Sequence, residues 1–231
     1  MVSTNEVIWF EDAFSEGYRI HDSHGKPTLV RKKDDPVFSG KLSLKRAGAE
    51  GLEQDVCDNG PGLDVIPDSD VFVYAYLDPA DPPDTIMIQF HTDGWKHRAV
   101  WGAEAKIDWG RRDSPEKVLM GDLPGTGKWV RLALPARRMA LDGKKKVTGF
   151  AFTQFGGSMW WDKLGLIKVS DPTTDPAVSW AAWQKQDAAT REGDLADPLK
   201  KKIKGRGPDK WTDDETAVPL PKASWYYYFI C

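Results

Sequence analysis

Punctuation constrains this chain more than any other feature. Residues 1–170 read as short alternating apolar and polar runs, cut by breakers such as Asp78-Pro-Ala-Asp-Pro-Pro83 and Leu123-Pro-Gly-Thr-Gly127. No stretch there holds a helical period long enough to bury one face, so strands must supply the core. The spacing predicts strands at 6–12, 40–46, 52–57, 71–77, 85–92, 95–101, 128–134, 147–154 and 158–169. Short strands of this kind hide their apolar faces by packing layer on layer, which predicts an all-β fold, an antiparallel β-sandwich. Residues 102–124 are the least regular and read as a long loop with a short helix.

After Ser170 the character changes. Asp171-Pro-Thr-Thr-Asp-Pro176 reads as a linker that starts a helix, with Asp175 as N-cap and Pro176 in the first turn. Residues 177–191 form a modest amphipathic pattern, and 193–208 are polar and loop-like. Thr212-Asp-Asp-Glu215 is a capping-box pattern kept short by Pro219 and Pro221. The expected organisation is a β-sandwich binding module over 1–170. A linker and mostly α-helical or irregular extension follows over 171–231, continuing into a missing domain. That continuation is expected because the chain stops on Trp225-Tyr-Tyr-Tyr-Phe-Ile-Cys231, an apolar run soluble proteins rarely end on.

One hairpin can be built in detail. Asp93-Gly94 between 85–92 and 95–101 is a two-residue turn signal. Its register pairs Thr92 with Trp95, Phe90 with His97, Gln89 with Arg98, Ile88 with Ala99 and Ile86 with Trp101. Paired residues share a face. One face then carries Ile86, Ile88, Phe90, Ala99 and Trp101, an apolar set. The other carries Met87, Gln89, His91, Lys96 and Arg98, which can hydrogen-bond a ligand.

Charge and motifs narrow the function. Lys and Arg total 32 against 35 Asp and Glu, a net charge of -3 that offers no electrostatic drive toward nucleic acid. No apolar run reaches the ~18 residues of a membrane span, so membrane insertion is not expected. Cys57 and Cys231 form neither a disulfide framework nor a zinc site. Gly125-Thr-Gly-Lys128 looks like the end of a phosphate loop, but Asp122 and Trp129 stand where Gly and Ser or Thr are needed, so it reads as a turn. His21-Asp22-Ser23-His24 likewise reads as a turn. No Gly-x-Ser-x-Gly elbow is present, and nothing singles out a carboxylate pair.

Aromatics are more informative. Trp95, Trp101, Trp129, Trp160 and Trp161 sit in strands beside polar residues. Flat rings stack on sugar C–H faces while Gln, Arg and His bond hydroxyls, the usual make-up of a saccharide site. A packed core explains the same residues, but alternation lets only one of Trp160 and Trp161 point inward. Phe72, Tyr74 and Tyr76 form a wholly aromatic strand face. The candidate ligand-binding residues are Tyr74, Tyr76, Gln89, His91, His97, Arg98, Trp101, Gln154 and Trp160.

Phe10-Glu-Asp12, Phe38-Ser-Gly-Lys-Leu-Ser-Leu44, Lys128-Trp-Val-Arg-Leu132, Val147-Thr-Gly-Phe-Ala-Phe152 and Trp160-Trp-Asp-Lys-Leu-Gly-Leu166 occur in the order seen in galactose-binding-like jelly rolls, which include many carbohydrate-binding modules. The chain resembles that family. The resemblance implies a structural Ca²⁺ held by Glu11 or Asp12, the neighbourhood of Gly40, and Asp162. Hard carboxylate and carbonyl oxygens suit that ion. Ile88-Gln-Phe90, Asp93-Gly-Trp-Lys-His-Arg-Ala-Val-Trp-Gly102, Met120-Gly-Asp-Leu-Pro124 and Gly149-Phe-Ala-Phe-Thr-Gln-Phe-Gly157 resemble a segment of planctomycete-type multi-domain cytochrome c proteins with domains of unknown function. That resemblance implies an extracytoplasmic home and polysaccharide handling. No Cys-x-x-Cys-His is present, so no haem is expected on this chain.

The first reading is therefore a non-catalytic module binding a polysaccharide or oligosaccharide within a larger extracytoplasmic protein. A structural domain that docks against neighbouring domains is the alternative, and a glycan-active enzyme the remote third. Convergence of Gln89, His91, Arg98, Trp101, Gln154 and Trp160 on an open groove would favour binding. Burial with mutual bonding would favour a structural role.

Overall fold

The computed structural model describes residues 6–22, 28–141 and 145–168, all within the first of two units, Met1–Val169. The helix expected at 177–191 and the rest of 171–231 lie outside the described residues. The strands are β1 (Glu6–Phe10), β2 (Arg19–Asp22), β3 (Thr28–Arg31), β4 (Leu42–Asp58), β5 (Leu63–Asp64), β6 (Ser69–Leu77), β7 (Thr85–His91), β8 (Trp95–Gly102), β9 (Val118–Leu119), β10 (Trp129–Pro135), β11 (Lys146–Val147) and β12 (Gly149–Lys168). Among the described residues the only helical elements are single 3₁₀ turns at Glu104–Lys106 and Ala136–Met139. None of these is long and apolar enough to cross a membrane.

Two expected strand breaks are bends. The predicted pairs 40–46 with 52–57, and 147–154 with 158–169, are each one continuous strand, β4 and β12. Gly48 (φ 63°), Gly156 (φ 75°) and Gly157 (φ 67°) take left-handed backbone that other residues resist. These glycines re-aim the strand instead of ending it. A Cβ on Gly157 would lie 2.4 Å from the Pro82 carbonyl carbon, so the position also lacks room.

The bends split β4 and β12 between two layers. Residues 149–155 of β12 pair with β7 on one side and 52–57 of β4 on the other, and β8 and β2 extend this first layer. Residues 159–168 of β12 pair with β6, and then with the start of β4 and with β1. Strands β10 and β3 complete the second layer. Except for β9, which runs parallel to β8, the pairings between these strands are antiparallel.

The core lies between the layers. Val71, Val73, Ala75 and Leu77 face Ile86, Ile88, Phe90, Phe150 and Phe152 within one buried apolar cluster. Trp9 meets Phe90 edge-on at 5.8 Å, and Trp161 stacks on Phe152 at 5.2 Å, so rings from opposite layers bind the sandwich together. Cys57 is buried there with its thiol pushed up to about 12, chiefly by burial. The hairpin register is as expected from Ile86–Trp101 to Phe90–His97. At the tip the ladder then shifts to pair His91 with Trp95 instead of Thr92. The connection is thus a residue longer than the two-residue turn, with Lys96 NH bonded back to the Gly94 carbonyl.

Candidate functional site

The outward face of the first layer carries a groove of about 310 Å³, lined by His21, Gln54, Val56, Asp58, Gln89, Trp95, Arg98 and Trp109. Strand alternation places these side chains together. Gln54 sits opposite Thr153, and Gln89 opposite both Ala151 and Arg98, so four adjacent strands contribute to one row. The row is hydrogen-bonded end to end. Arg98 Nε donates to Gln89 Oε1 at 2.8 Å, Gln89 Nε2 to Thr153 Oγ1 at 2.8 Å, and Gln54 Nε2 to the same hydroxyl at 3.3 Å. Each side chain fixes the next, which orients the polar atoms before any ligand arrives.

Two indole rings line it. Trp109 packs against an apolar patch of Met87, Val100 and Ile107, and Trp95 meets the His91 ring at 5.3 Å. At the far side Arg19 Nε and Nη2 donate to Asp58 Oδ1 and Oδ2, each at 3.0 Å, and His21 Nε2 lies 3.1 Å from Asp58 Oδ2. The Arg19 bonds, foremost, hold the Asp58 carboxyl below the usual carboxylate range. Arg98 is part-buried, and burial lowers its pKa. Its Nη1 donates to the Glu116 carbonyl at 3.2 Å. Gly110 (φ 76°) passes so close that a Cβ there would sit 2.9 Å from Arg98 Nη1.

Of the expected ligand-binding residues, the structure brings Gln89 and Arg98 into the groove and places His91 behind Trp95. The others go elsewhere. Trp101 and His97 lie on the buried side of β8, paired with inward Ile86 and Phe90. His97 Nδ1 lies 2.6 Å from the Met139 carbonyl oxygen, and burial lowers its pKa. Gln154 is also buried, its amide donating to the Gly156 and Gly157 carbonyls, where it braces the β12 bend. Tyr74, Tyr76 and Trp160 lie on the outer face of the other layer. Trp160 is covered by Tyr76 and Lys45 and donates to Asp35 at 3.1 Å. His21 belongs to a strand, not the expected turn; His24 lies outside the described residues. Gln54, Thr153, Asp58 and Trp109 were missed. Alternation within 52–57 pointed Gln54 the same way as Val56, but only tertiary pairing joins that strand to Gln89.

Glu11, Asp12 and Asp162, the expected metal residues, each bond to the 38–42 turn. Phe38 NH and Ser39 NH donate to Asp162 Oδ2 at 2.8 and 3.2 Å, and the Ser39 hydroxyl donates to Glu11. Asp12 Oδ1 instead accepts from Lys41 NH and Leu42 NH, bracing the turn at Gly40 (φ 63°). Asp162 Oδ1 is buried without a partner. Burial, more than the neighbouring Glu11 charge, pushes the Asp162 carboxyl up to about 6. A partnerless buried carboxylate oxygen beside a second carboxylate fits a hard cation. Among the described residues no group of three or more His, Cys, Asp or Glu is gathered for a metal, so main-chain or hydroxyl oxygens would have to complete the set.

No protein-family model and no curated protein matches the chain. Solved structures similar to it include one from work on carbohydrate-binding modules of the β-sandwich superfamily. It is 16% identical, covers 70% of this chain and 61% of its own, and has a TM-score of 0.43. The family 11 carbohydrate-binding module from Clostridium thermocellum, in complex with a β-1,3-1,4-mixed-linked tetrasaccharide, is 10% identical and covers 71% and 96%, with a TM-score of 0.42. The glycoside hydrolase domain of Endo-D from Streptococcus pneumoniae R6 is 14% identical and covers 67% and 22%, with a TM-score of 0.37. The chain thus spans about three fifths of the first of these proteins and about a fifth of the last.

Proposed function

We propose that this chain is a non-catalytic, galactose-binding-like jelly-roll module that holds a saccharide in the groove of the first layer. The observation that carries the reading is the groove to which the part-exposed Gln54, Arg98, Trp95 and Trp109 turn, held in place by the buried and mutually bonded Gln89 and Thr153 beneath. Polar atoms at fixed positions suit hydroxyls, and indole faces suit the C–H surface of a sugar ring. The groove volume falls at the small end of ligand sites. Among the described residues Asp58, already paired with Arg19, is the one carboxylate lining it. Affinity electrophoresis against a polysaccharide panel tests the reading. Retention is expected on at least one polymer, and Trp109→Ala should weaken it by about tenfold, given ~1–2 kcal/mol for a lost stacking partner. Retention unaffected by both Trp95→Ala and Trp109→Ala would move the site elsewhere.

Calcium belongs to the same proposal. Asp162 and Glu11 would hold the ion under the 38–40 turn, where it would neutralise one buried and one half-buried carboxylate and fix the turn that covers them. Ca²⁺ should raise the melting temperature of the chelator-treated protein by several degrees, and Asp162→Ala should abolish the rise. An EDTA-insensitive melt would remove calcium from the account. An extracytoplasmic location is proposed with it, on the sequence reading alone. The competing reading, a domain docked against neighbours, draws on the half-exposed Phe38, Tyr74, Tyr76 and Trp129 of the opposite face.

A further inference from the structure

We infer that the groove takes an acidic saccharide, the anionic oxygens of a uronate carboxylate or a sulfate ester being bound by the Arg98 guanidinium. This deepens the saccharide reading and rests on it.

The charges lining the groove are Arg98, Asp58 and, when protonated, His21. Asp58 is already matched by both Arg19 donors. Arg98 is not matched. It forms no ion pair with any carboxylate of the described residues, and the groups it bonds, the Gln89 amide oxygen and the Glu116 carbonyl, are neutral. The Glu116 charge acts on it through space without an ion pair, and Glu116 Oε2 accepts from Arg111 NH at 3.2 Å. Among the described residues Arg98 Nη2 has no hydrogen-bond partner, and it is not among the buried orphan atoms, so Nη2 stays open.

Desolvating a guanidinium without neutralising it is costly. A neutral sugar gives no reason to bear that cost, because an amide would bond hydroxyls as well. An anion does. Nη2 can donate to a carboxylate or sulfate oxygen, and such a charge-assisted bond is stronger than one between neutral groups. The fork is also aimed, since Gln89 is itself fixed by Thr153 and Gly110 leaves room beside Nη1. The whole chain carries -3, so general attraction of polyanions would not mimic such a site.

The test uses the full chain and charge-matched pairs: polygalacturonate against its methyl ester, and a sulfated galactan against its desulfated form. One charged member should bind about tenfold tighter than its uncharged twin, and the gap should narrow at high salt. Whichever pair shows the gap separates carboxylate from sulfate. Arg98→Gln should close the gap by weakening the charged member far more than its uncharged twin, and Arg98→Lys should keep part of it. If Arg98→Gln does not fold, the wild-type pairs and Arg98→Lys decide. Equal binding of both twins, lost with Trp109→Ala, overturns the acidic inference and leaves the saccharide reading intact. A charge preference unchanged by Arg98→Gln also overturns it. Failure to bind any polysaccharide overturns both.

Discussion

Trp161→Ala is expected to destabilise the sandwich by about 3–5 kcal/mol, the range for removing a large aromatic side chain from a packed core. Trp161 is fully buried, with its ring stacked on Phe152 from the other layer. In register it lies between Ala75 and Leu44, a small and a medium side chain that cannot fill the space it leaves. Its neighbour Trp160 is the internal control, because it points out of the sandwich and rests on Tyr76, Lys45 and Asp35. Trp160→Ala should cost clearly less. Urea titration would read both as shifts in midpoint at an unchanged slope. A loss below ~1 kcal/mol for Trp161→Ala would contradict the packing between layers.

In chelator, the stability of the wild type should fall relative to Asp162→Asn as pH rises from 4 to 7.5. The sign follows from the raised folded pKa. The Asp162 carboxyl titrates at about 6 when folded and near 3.9 when unfolded, so the folded state binds its proton more tightly. Its contribution is fully present below the unfolded value and is lost as pH climbs through the folded one. Two units correspond to about 3 kcal/mol. Asparagine keeps an oxygen for Phe38 NH and Ser39 NH but cannot ionise, so the difference isolates this group. A wild-type-minus-variant difference that is flat with pH would rule out a strained carboxylate. Ca²⁺ at pH 7.5 should restore what ionisation removes.

The polar half of the site was legible where local rules suffice. Asp93-Gly94 and strict alternation placed Gln89 beside Arg98 and away from Phe90, and the one-residue error at the tip did not propagate. The alternation argument for Trp160 and Trp161 also gave the right geometry, though it could not say that Trp160 would be covered. Trp101 went wrong for a different reason: its place in the apolar row of the same hairpin was outweighed by its aromatic character. The glycines of β4 and β12 looked like strand ends because a bend and a turn need the same backbone freedom. That misreading hid the pairing that joins Gln54 to Thr153 to Gln89. Trp109 lies in the irregular 102–124 stretch, where no period announces which way a side chain faces. Asp162 and Glu11 were singled out by resemblance alone, since the two carboxylates that bond to one turn stand 151 positions apart.

The two bent strands have a consequence for how the molecule comes apart. Thr153, under the groove, and Asp162, under the 38–40 turn, are nine residues apart on one uninterrupted strand. Neither layer owns a complete set of strands, so neither can peel away while the other persists. Amide exchange from the groove floor and from the Asp162 turn therefore belongs to one cooperative opening, and a ligand that holds either end slows exchange at both.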